Sequence, residues 1–151
     1  MKTFIDNAGR TWTVSVTVAA VKRVKDLLGV NLMDAIEGKL LERLANDPVL
    51  LCDVVYVICK SEADAAKVSD EDFGRAMAGD ALDRATVAFM EDLVSFFPAG
   101  RRRLLAKAME KLKALEQRVL EAAEARLDSG EAERLIEAEL ARPSRESVIT
   151  G

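Results

Sequence analysis

Five acidic residues in the middle of the chain are close enough in sequence to suggest a cation site. They are Asp70, Glu71, Asp72, Asp80 and Asp83. A calcium-binding loop needs oxygen ligands at fixed spacing around a glycine, and this segment lacks that spacing. Two of the acids stand where helix N-termini are predicted, because carboxylates cap helices and favour their positive ends. The segment therefore predicts helix caps and no metal site.

The cysteines and the missing histidines bear on redox chemistry and catalysis. Cys52 and Cys59 are seven residues apart in an apolar run, which on a helix is a rise of roughly 10.5 Å, too far for a disulfide. We expect both to be free thiols in a reducing cytoplasm. The sequence has no histidine, the most frequent general base, and no Walker, Rossmann, CxxC or G-x-S-x-G motif. We therefore expect no enzymatic activity and no cofactor.

Length and composition are typical of a globular domain. The chain has 151 residues, half of them hydrophobic, with a net charge of −4. No run approaches the roughly 18 apolar residues that a membrane span requires. Residues 1–10 include Asp6, Asn7 and Arg10 and do not resemble a signal peptide. We expect a cytoplasmic protein that does not enter a membrane.

Charge is distributed in three blocks along the second half of the chain. Residues 61–98 carry nine acids and three bases, residues 101–113 six bases and one acid, and residues 114–139 eight acids and three bases. The blocks are either solvated helix faces or an electrostatic docking surface for an acidic partner or another copy of the chain. The candidate docking residues are Arg101, Arg102, Arg103 and Lys107. Nucleic acid is disfavoured because aromatic residues are not interleaved and the flanking blocks are acidic.

The N-terminal segment is predicted to form a β-hairpin over residues 3–18. Residues 6–10 supply turn chemistry, and Trp12, Val14, Val16 and Val18 alternate with polar residues. This period of two places one apolar face inward. The hairpin either covers the core or offers an edge for oligomerisation.

Helical periodicity dominates the rest of the first hundred residues. Asp47 and Pro48 predict the start of a helix, which we expect to be the central buried helix. Its β-branched residues leave a β-strand as the alternative for this segment. Asp53 within it is expected to point to the edge of the core. Residues 60–68 are predicted to be a polar link, Ser69 and Asp80 to be helix caps, and Gly79 to end the helix that begins after Ser69. The predicted helices cover residues 19–28, 32–45, 49–59, 70–78 and 81–97.

A long amphipathic helix is predicted over residues 101–127, with a break at 128–130 and a further helix over 131–141. At about 40 Å this helix is longer than a small core can cover, so part of its apolar face is expected to bind another helix, as in a coiled coil. The alternative is that it folds back along the N-terminal helices. The candidate partner-binding residues are Leu104, Leu105, Ala108, Met109, Leu112, Leu115, Val119 and Leu120.

Together these patterns predict a mainly α protein with an N-terminal β-hairpin packed on a helical bundle, followed by a long C-terminal helix. The predicted division is residues 1–98 for the compact domain, 99–142 for the helical extension and 143–151 for a disordered tail.

The order of these elements resembles the tail assembly chaperones of long-tailed bacteriophages. The resemblance covers roughly residues 1–100 and lies in the hairpin around Phe4, Asp6, Gly9, Arg10 and Trp12, and in the segments Ser69-Asp70-Glu71-Asp72-Phe73 and Leu93-Val94-Ser95-Phe96-Phe97-Pro98. It implies a non-enzymatic chaperone that binds the hydrophobic helices of the tape-measure protein in the host cytoplasm during virion assembly. The alternative is a structural phage or adaptor protein that acts as an oligomeric assembly component.

Overall fold

The computed structural model describes residues 1–37 and 39–142. The protein is mainly α-helical, with a two-stranded antiparallel hairpin packed on helices and a long C-terminal helix, which confirms the predicted fold class. Contacts divide the chain into two units, Met1–Met109 and a second unit that begins at Glu110. The predicted disordered tail, residues 143–151, lies outside the described residues.

The hairpin consists of β1 (Lys2–Ile5) and β2 (Thr11–Val14), with Phe4 opposite Trp12. Gly9 in the turn has a φ of 80°, a conformation that favours glycine. The predicted strand to residue 18 is too long. The side chain of Thr17 accepts a hydrogen bond from the backbone N–H of Ala20 and so caps the first helix instead of extending the strand.

Within the described residues of the first unit, six α-helices and a short 3₁₀ helix follow the hairpin. They are α1 (Val18–Leu28), the 3₁₀ helix (Leu32–Ala35), α2 (Leu40–Asn46), α3 (Pro48–Ile58), α4 (Lys60–Ala65), α5 (Asp70–Arg75) and α6 (Asp80–Phe96). Helix α3 is central, since it packs on α1, α2 and α6 and buries Val54 and Val55 completely. The side chain of Asp47 accepts a hydrogen bond from the Leu50 N–H over 3.0 Å, which confirms the predicted cap.

Two predicted elements have different bounds in the structure. Residues 32–45 form a 3₁₀ helix and a separate α2, and not one helix. Apolar periodicity could not separate them, because Leu32 and Leu44 are buried on both sides of the break. The predicted polar link contains helix α4, in which Lys60 and Asp64 form an ion pair at 3.2 Å. Such a pair one turn apart supports a short helix that has little apolar pattern.

The helix after Ser69 also ends earlier than predicted, at Arg75. The carbonyl of Ala76 accepts a hydrogen bond from the Asn7 N–H over 3.0 Å, and the carbonyl of Ala78 accepts one from the Asn7 side chain over 3.1 Å. These long-range bonds use carbonyl groups that a continuing helix would need. Asp80 is the first residue of α6 and not its cap, a position that Gly79 occupies.

An aromatic cluster fills the core of the first unit. Phe73 on α5 meets Trp12 edge to face at a ring distance of 5.1 Å and also contacts Tyr56 at 5.3 Å. Helix α6 packs against β1 and contributes the fully buried Phe89 and Leu93. The hairpin is therefore held by contacts to two segments that are distant in sequence, α5 through Trp12 and α6 through β1.

The C-terminal helices match the prediction closely. Helix α7 covers Ala99–Asp128 and α8 covers Glu131–Leu140. Between them Gly130 has a φ of 77°, a left-handed conformation that stops the first helix and that glycine adopts without strain.

Candidate protein-binding surface

The start of α7 carries the predicted docking residues. Arg101, Arg102, Arg103 and Lys107 are all exposed. The Arg102 Nε–H also donates a hydrogen bond to the carbonyl oxygen of Phe97 over 3.2 Å. Arg102 therefore has a local structural contact. None of the described ion pairs contains Arg101, Arg103 or Lys107.

The eight predicted partner-binding residues divide into three groups. Leu104, Leu115, Val119 and Leu120 are exposed, whereas Ala108, Met109 and Leu112 are half-buried. Leu105 is 0% exposed and belongs to the core of the first unit. A side chain with no accessible surface cannot contact a partner without local unfolding, so Leu105 is left out of the candidate surface.

The second unit has its apolar side chains on the outside. Leu115, Val119 and Leu120 are 55%, 60% and 64% exposed. Between Glu110 and Arg142, none of the apolar side chains that the structure describes is buried. The exposed large apolar residues of this unit are Leu115, Val119, Leu120, Leu127, Leu135, Ile136 and Leu140.

Helical geometry places the large exposed apolar residues of α7 in the second unit, together with the half-buried Leu112, on one side of the helix. At 100° per residue, Leu112, Leu115 and Val119 lie within about 60° of arc, and Leu120 and Leu127 extend the same side. We call these five residues the apolar stripe. A stripe of this width is typical of a helix that packs against another helix.

Charges are unevenly distributed along α7. Within α7, residues 101–113 hold six bases and one acid, a net charge of +5, and residues 114–128 hold four acids and two bases, a net charge of −2. Local pairs use little of the charge of α7. Arg126 and Glu131 are 4.0 Å apart, and the Gln117 amide donates to Glu121 over 3.2 Å, while the closer pair of Arg142 and Glu139, at 3.2 Å, lies beyond α7. Most of the charge therefore remains available to a partner.

Side chains bond to outward-facing backbone groups on both strands of the hairpin, at positions where a strand of another chain would have to pair. On β1, the Arg84 guanidinium donates two hydrogen bonds to the Ile5 carbonyl, at 3.1 and 3.0 Å. On β2, the Thr13 N–H donates to Glu62 Oε1 over 2.9 Å, and the Thr13 carbonyl accepts from the Cys59 thiol at 3.5 Å. Backbone groups that already have partners are poor templates for strand addition, which favours a core-covering role for the hairpin.

The sequence did not predict the burial of two carboxylates, Asp6 and Asp92. Asp6 accepts hydrogen bonds from the backbone N–H groups of Ala8 and Arg10, each at 2.9 Å, and from Trp12 Nε1–H at 2.9 Å. Burial tends to raise the pKa of Asp6, but the bonds from Trp12, Arg10 and Ala8 and the Arg10 charge together lower it. The turn pattern around Asp6 was the available signal.

Asp92 on α6 is the second buried carboxylate. One oxygen accepts a hydrogen bond from the Val16 N–H over 2.6 Å, and the other contacts the Met1 ammonium group. Because its partners lie 76 and 91 residues away in sequence, no local pattern could have identified it. Both buried carboxylates have polar partners. Asp92 joins α6 to Met1 and Val16 on either side of the hairpin, whereas the partners of Asp6 all lie within the hairpin.

The remaining candidates for chemistry are dispersed. Asp70 begins α5 and Asp80 begins α6, and the described residues contain no group of three or more cysteines and carboxylates arranged to hold a metal ion. Burial raises the pKa of the Cys52 thiol to about 11 and that of Cys59 to about 12. Burial, with Asp70 and Asp47 nearby, also raises the pKa of the half-buried Asp53.

Comparison of the chain with models of protein families, with curated proteins and with solved structures gives no match. None of the helices in the described part of the chain is long and apolar enough to cross a membrane.

Proposed function

We propose that the protein is a non-enzymatic assembly chaperone whose apolar stripe binds an apolar helix of another protein. The observation that carries this proposal is the second unit, in which every described large apolar side chain except the half-buried Leu112 is exposed. Helices in water are stabilised mainly by packing of an apolar face, and the described part of this unit offers no buried face. A helical partner would supply that packing.

The electrostatics of α7 support a helical protein partner over a nucleic acid. The basic start of the helix is followed directly by an acidic block, which would repel phosphate groups. Alternating charge around an apolar stripe is suited to fixing the register of a helix pair.

The resemblance to bacteriophage tail assembly chaperones suggests a particular partner. We propose that this partner is the tape-measure protein, whose long hydrophobic helices need cover in the host cytoplasm before the tail tube forms. On this proposal the stripe binds reversibly, as a chaperone must.

Affinity capture from the native host background, with bound proteins identified by mass spectrometry, tests the proposal. The critical variant is Leu115→Glu with Val119→Glu. The matched control is Val18→Glu with Val49→Glu, which places the same charge at equally exposed apolar positions in the first turns of α1 and α3. Glutamate is acceptable inside a helix and favourable in a first turn, so both variants should stay folded.

The expected result is that the wild type and the control recover one very long, helix-rich, apolar protein, and that the stripe variant recovers none. Co-expression should then keep that protein soluble only with the wild type or the control. Equal recovery by the stripe variant would overturn the assignment of the surface. Recovery of this chain alone, as a defined oligomer, would favour a structural assembly component.

A further inference from the structure

We infer that, without its client, the apolar stripe is covered by α7 of a second copy of this chain, in antiparallel orientation. This inference rests on the proposed function only in treating the stripe as a binding surface. Two observations identify a second copy as the partner that covers the stripe: the charge along α7 and the position of the stripe within the helix.

Charge decides the orientation of the pair. A parallel pair would place the +5 segment of one copy beside the +5 segment of the other, and like charges at that distance repel. An antiparallel pair places residues 101–113 of each copy beside the acidic second half of α7 of the other, where residues 114–128 hold four acids and two bases, a net charge of −2. Because the interaction occurs twice in a two-fold dimer, each favourable contact is doubled.

The stripe lies where such a dimer needs it. Leu112, Leu115 and Val119 are close to the middle of α7, which covers Ala99–Asp128. In an antiparallel pair that crosses near its middle, the same apolar residues of both copies meet at the two-fold axis. A surface that is self-complementary in both apolar and charged character fits a second copy of the chain.

The test uses two full-length variants with reversed charges, studied by analytical ultracentrifugation. The first has Lys107→Glu, Lys111→Glu and Lys113→Glu, and the second has Glu121→Lys, Glu124→Lys and Asp128→Lys. All six positions are exposed, and Arg102 is unchanged because it bonds to Phe97. Circular dichroism checks that the helix content of both variants equals that of the wild type.

We expect the wild type to be a dimer in low salt and each variant alone to dimerise at least about tenfold more weakly. An equimolar mixture of the two variants should form a one-to-one heterodimer, because each reversed segment then faces one of opposite charge. Raising the salt concentration should weaken the wild-type dimer, and this measurement needs no variant.

A wild type that stays monomeric, a dimer insensitive to salt, or a mixture that does not restore pairing would overturn the inference. These outcomes are separate from client capture: a monomer that still recovers the long apolar protein leaves the proposed function intact. Conversely, a salt-sensitive dimer that captures no client supports the pairing and contradicts the chaperone function.

Discussion

The indole N–H of Trp12 donates a hydrogen bond of 2.9 Å to the buried carboxylate of Asp6. The same carboxylate accepts bonds from the N–H groups of Ala8 and Arg10 and from the Arg10 guanidinium at 3.2 Å. One side chain thus fixes the turn of the hairpin and orients the largest aromatic residue of the core. Its four donors explain how an acid can be buried at this position.

Replacement of Asp6 by asparagine should destabilise the first unit. An amide has only one acceptor oxygen, so its NH₂ group would face N–H donors that Asp6 now satisfies. Leaving buried donors unsatisfied costs about 1–3 kcal/mol in the free energy of unfolding. Urea unfolding followed by Trp12 fluorescence measures the loss, with the exposed Glu37→Gln as control. Equal stability of the two variants would contradict the structural role of Asp6.

The same carboxylate should make stability depend on pH. The pKa of Asp6 is lowered in the folded protein below its ordinary value of 3.8. Its stabilising contribution is therefore complete above pH values near 3.8 and is lost as the pH falls through the lower, folded-state pKa. Urea unfolding between pH 2.5 and about 6 should show a steeper acid decline for the wild type than for Asp6→Asn. Parallel curves would show that Asp6 has no lowered pKa.

Asp53 on α3 should have the opposite effect on stability. Burial, together with Asp70 and Asp47, raises its pKa above 3.8, so ionisation costs stability in the folded state at neutral pH. Asp53→Asn should therefore increase the free energy of unfolding at pH 7 by roughly 0.5 kcal/mol, the size of a like-charge repulsion between partly exposed groups. The gain should vanish below the unfolded-state pKa, where both forms are neutral. A loss of stability at pH 7 would mean that the carboxylate has a favourable partner.

The two thiols should react slowly in the folded protein. Their pKa values of about 11 for Cys52 and about 12 for Cys59 leave almost no thiolate at pH 7.5. Alkylation by iodoacetamide should be roughly a hundredfold slower than that of free cysteine, or more, and should become fast in urea. Mass spectrometry of the single variants Cys52→Ser and Cys59→Ser assigns each rate. Rapid native alkylation of Cys59 would contradict its burial.

The parts of the fold that sequence patterns predicted are those with local causes. Three features depend on neighbours a few residues away: the cap at Asp47, the apolar run of α3, and the helical periodicity of α7 with its interruption at Gly130. The errors have distant causes. Asn7 bonds to the carbonyls of Ala76 and Ala78 and so ends α5 early.

The candidate surface shows the same division between local and distant causes. Periodicity placed Leu104 and Leu105 in one set, yet the first is exposed and the second is fully buried. Adjacent residues on a helix differ by 100° in direction, and only the packing of the first unit decides which of the two is covered. Leu115 and Val119 are exposed, because the helix continues beyond the length that a small core can cover.

The arginine cluster at the start of α7 should lower stability, which would indicate that it serves binding. Arg101 and Arg103 lie in the first turns of the helix, where the positive end of the dipole disfavours cations. Arg101→Glu with Arg103→Glu should therefore stabilise α7 by roughly 0.5–1 kcal/mol in total. Thermal unfolding measured by circular dichroism at 222 nm tests this, with Lys111→Glu and Lys113→Glu as a mid-helix control of equal charge change. A lower melting temperature for the arginine variant would show that the cluster stabilises the fold, and the case for electrostatic docking would lose its main support.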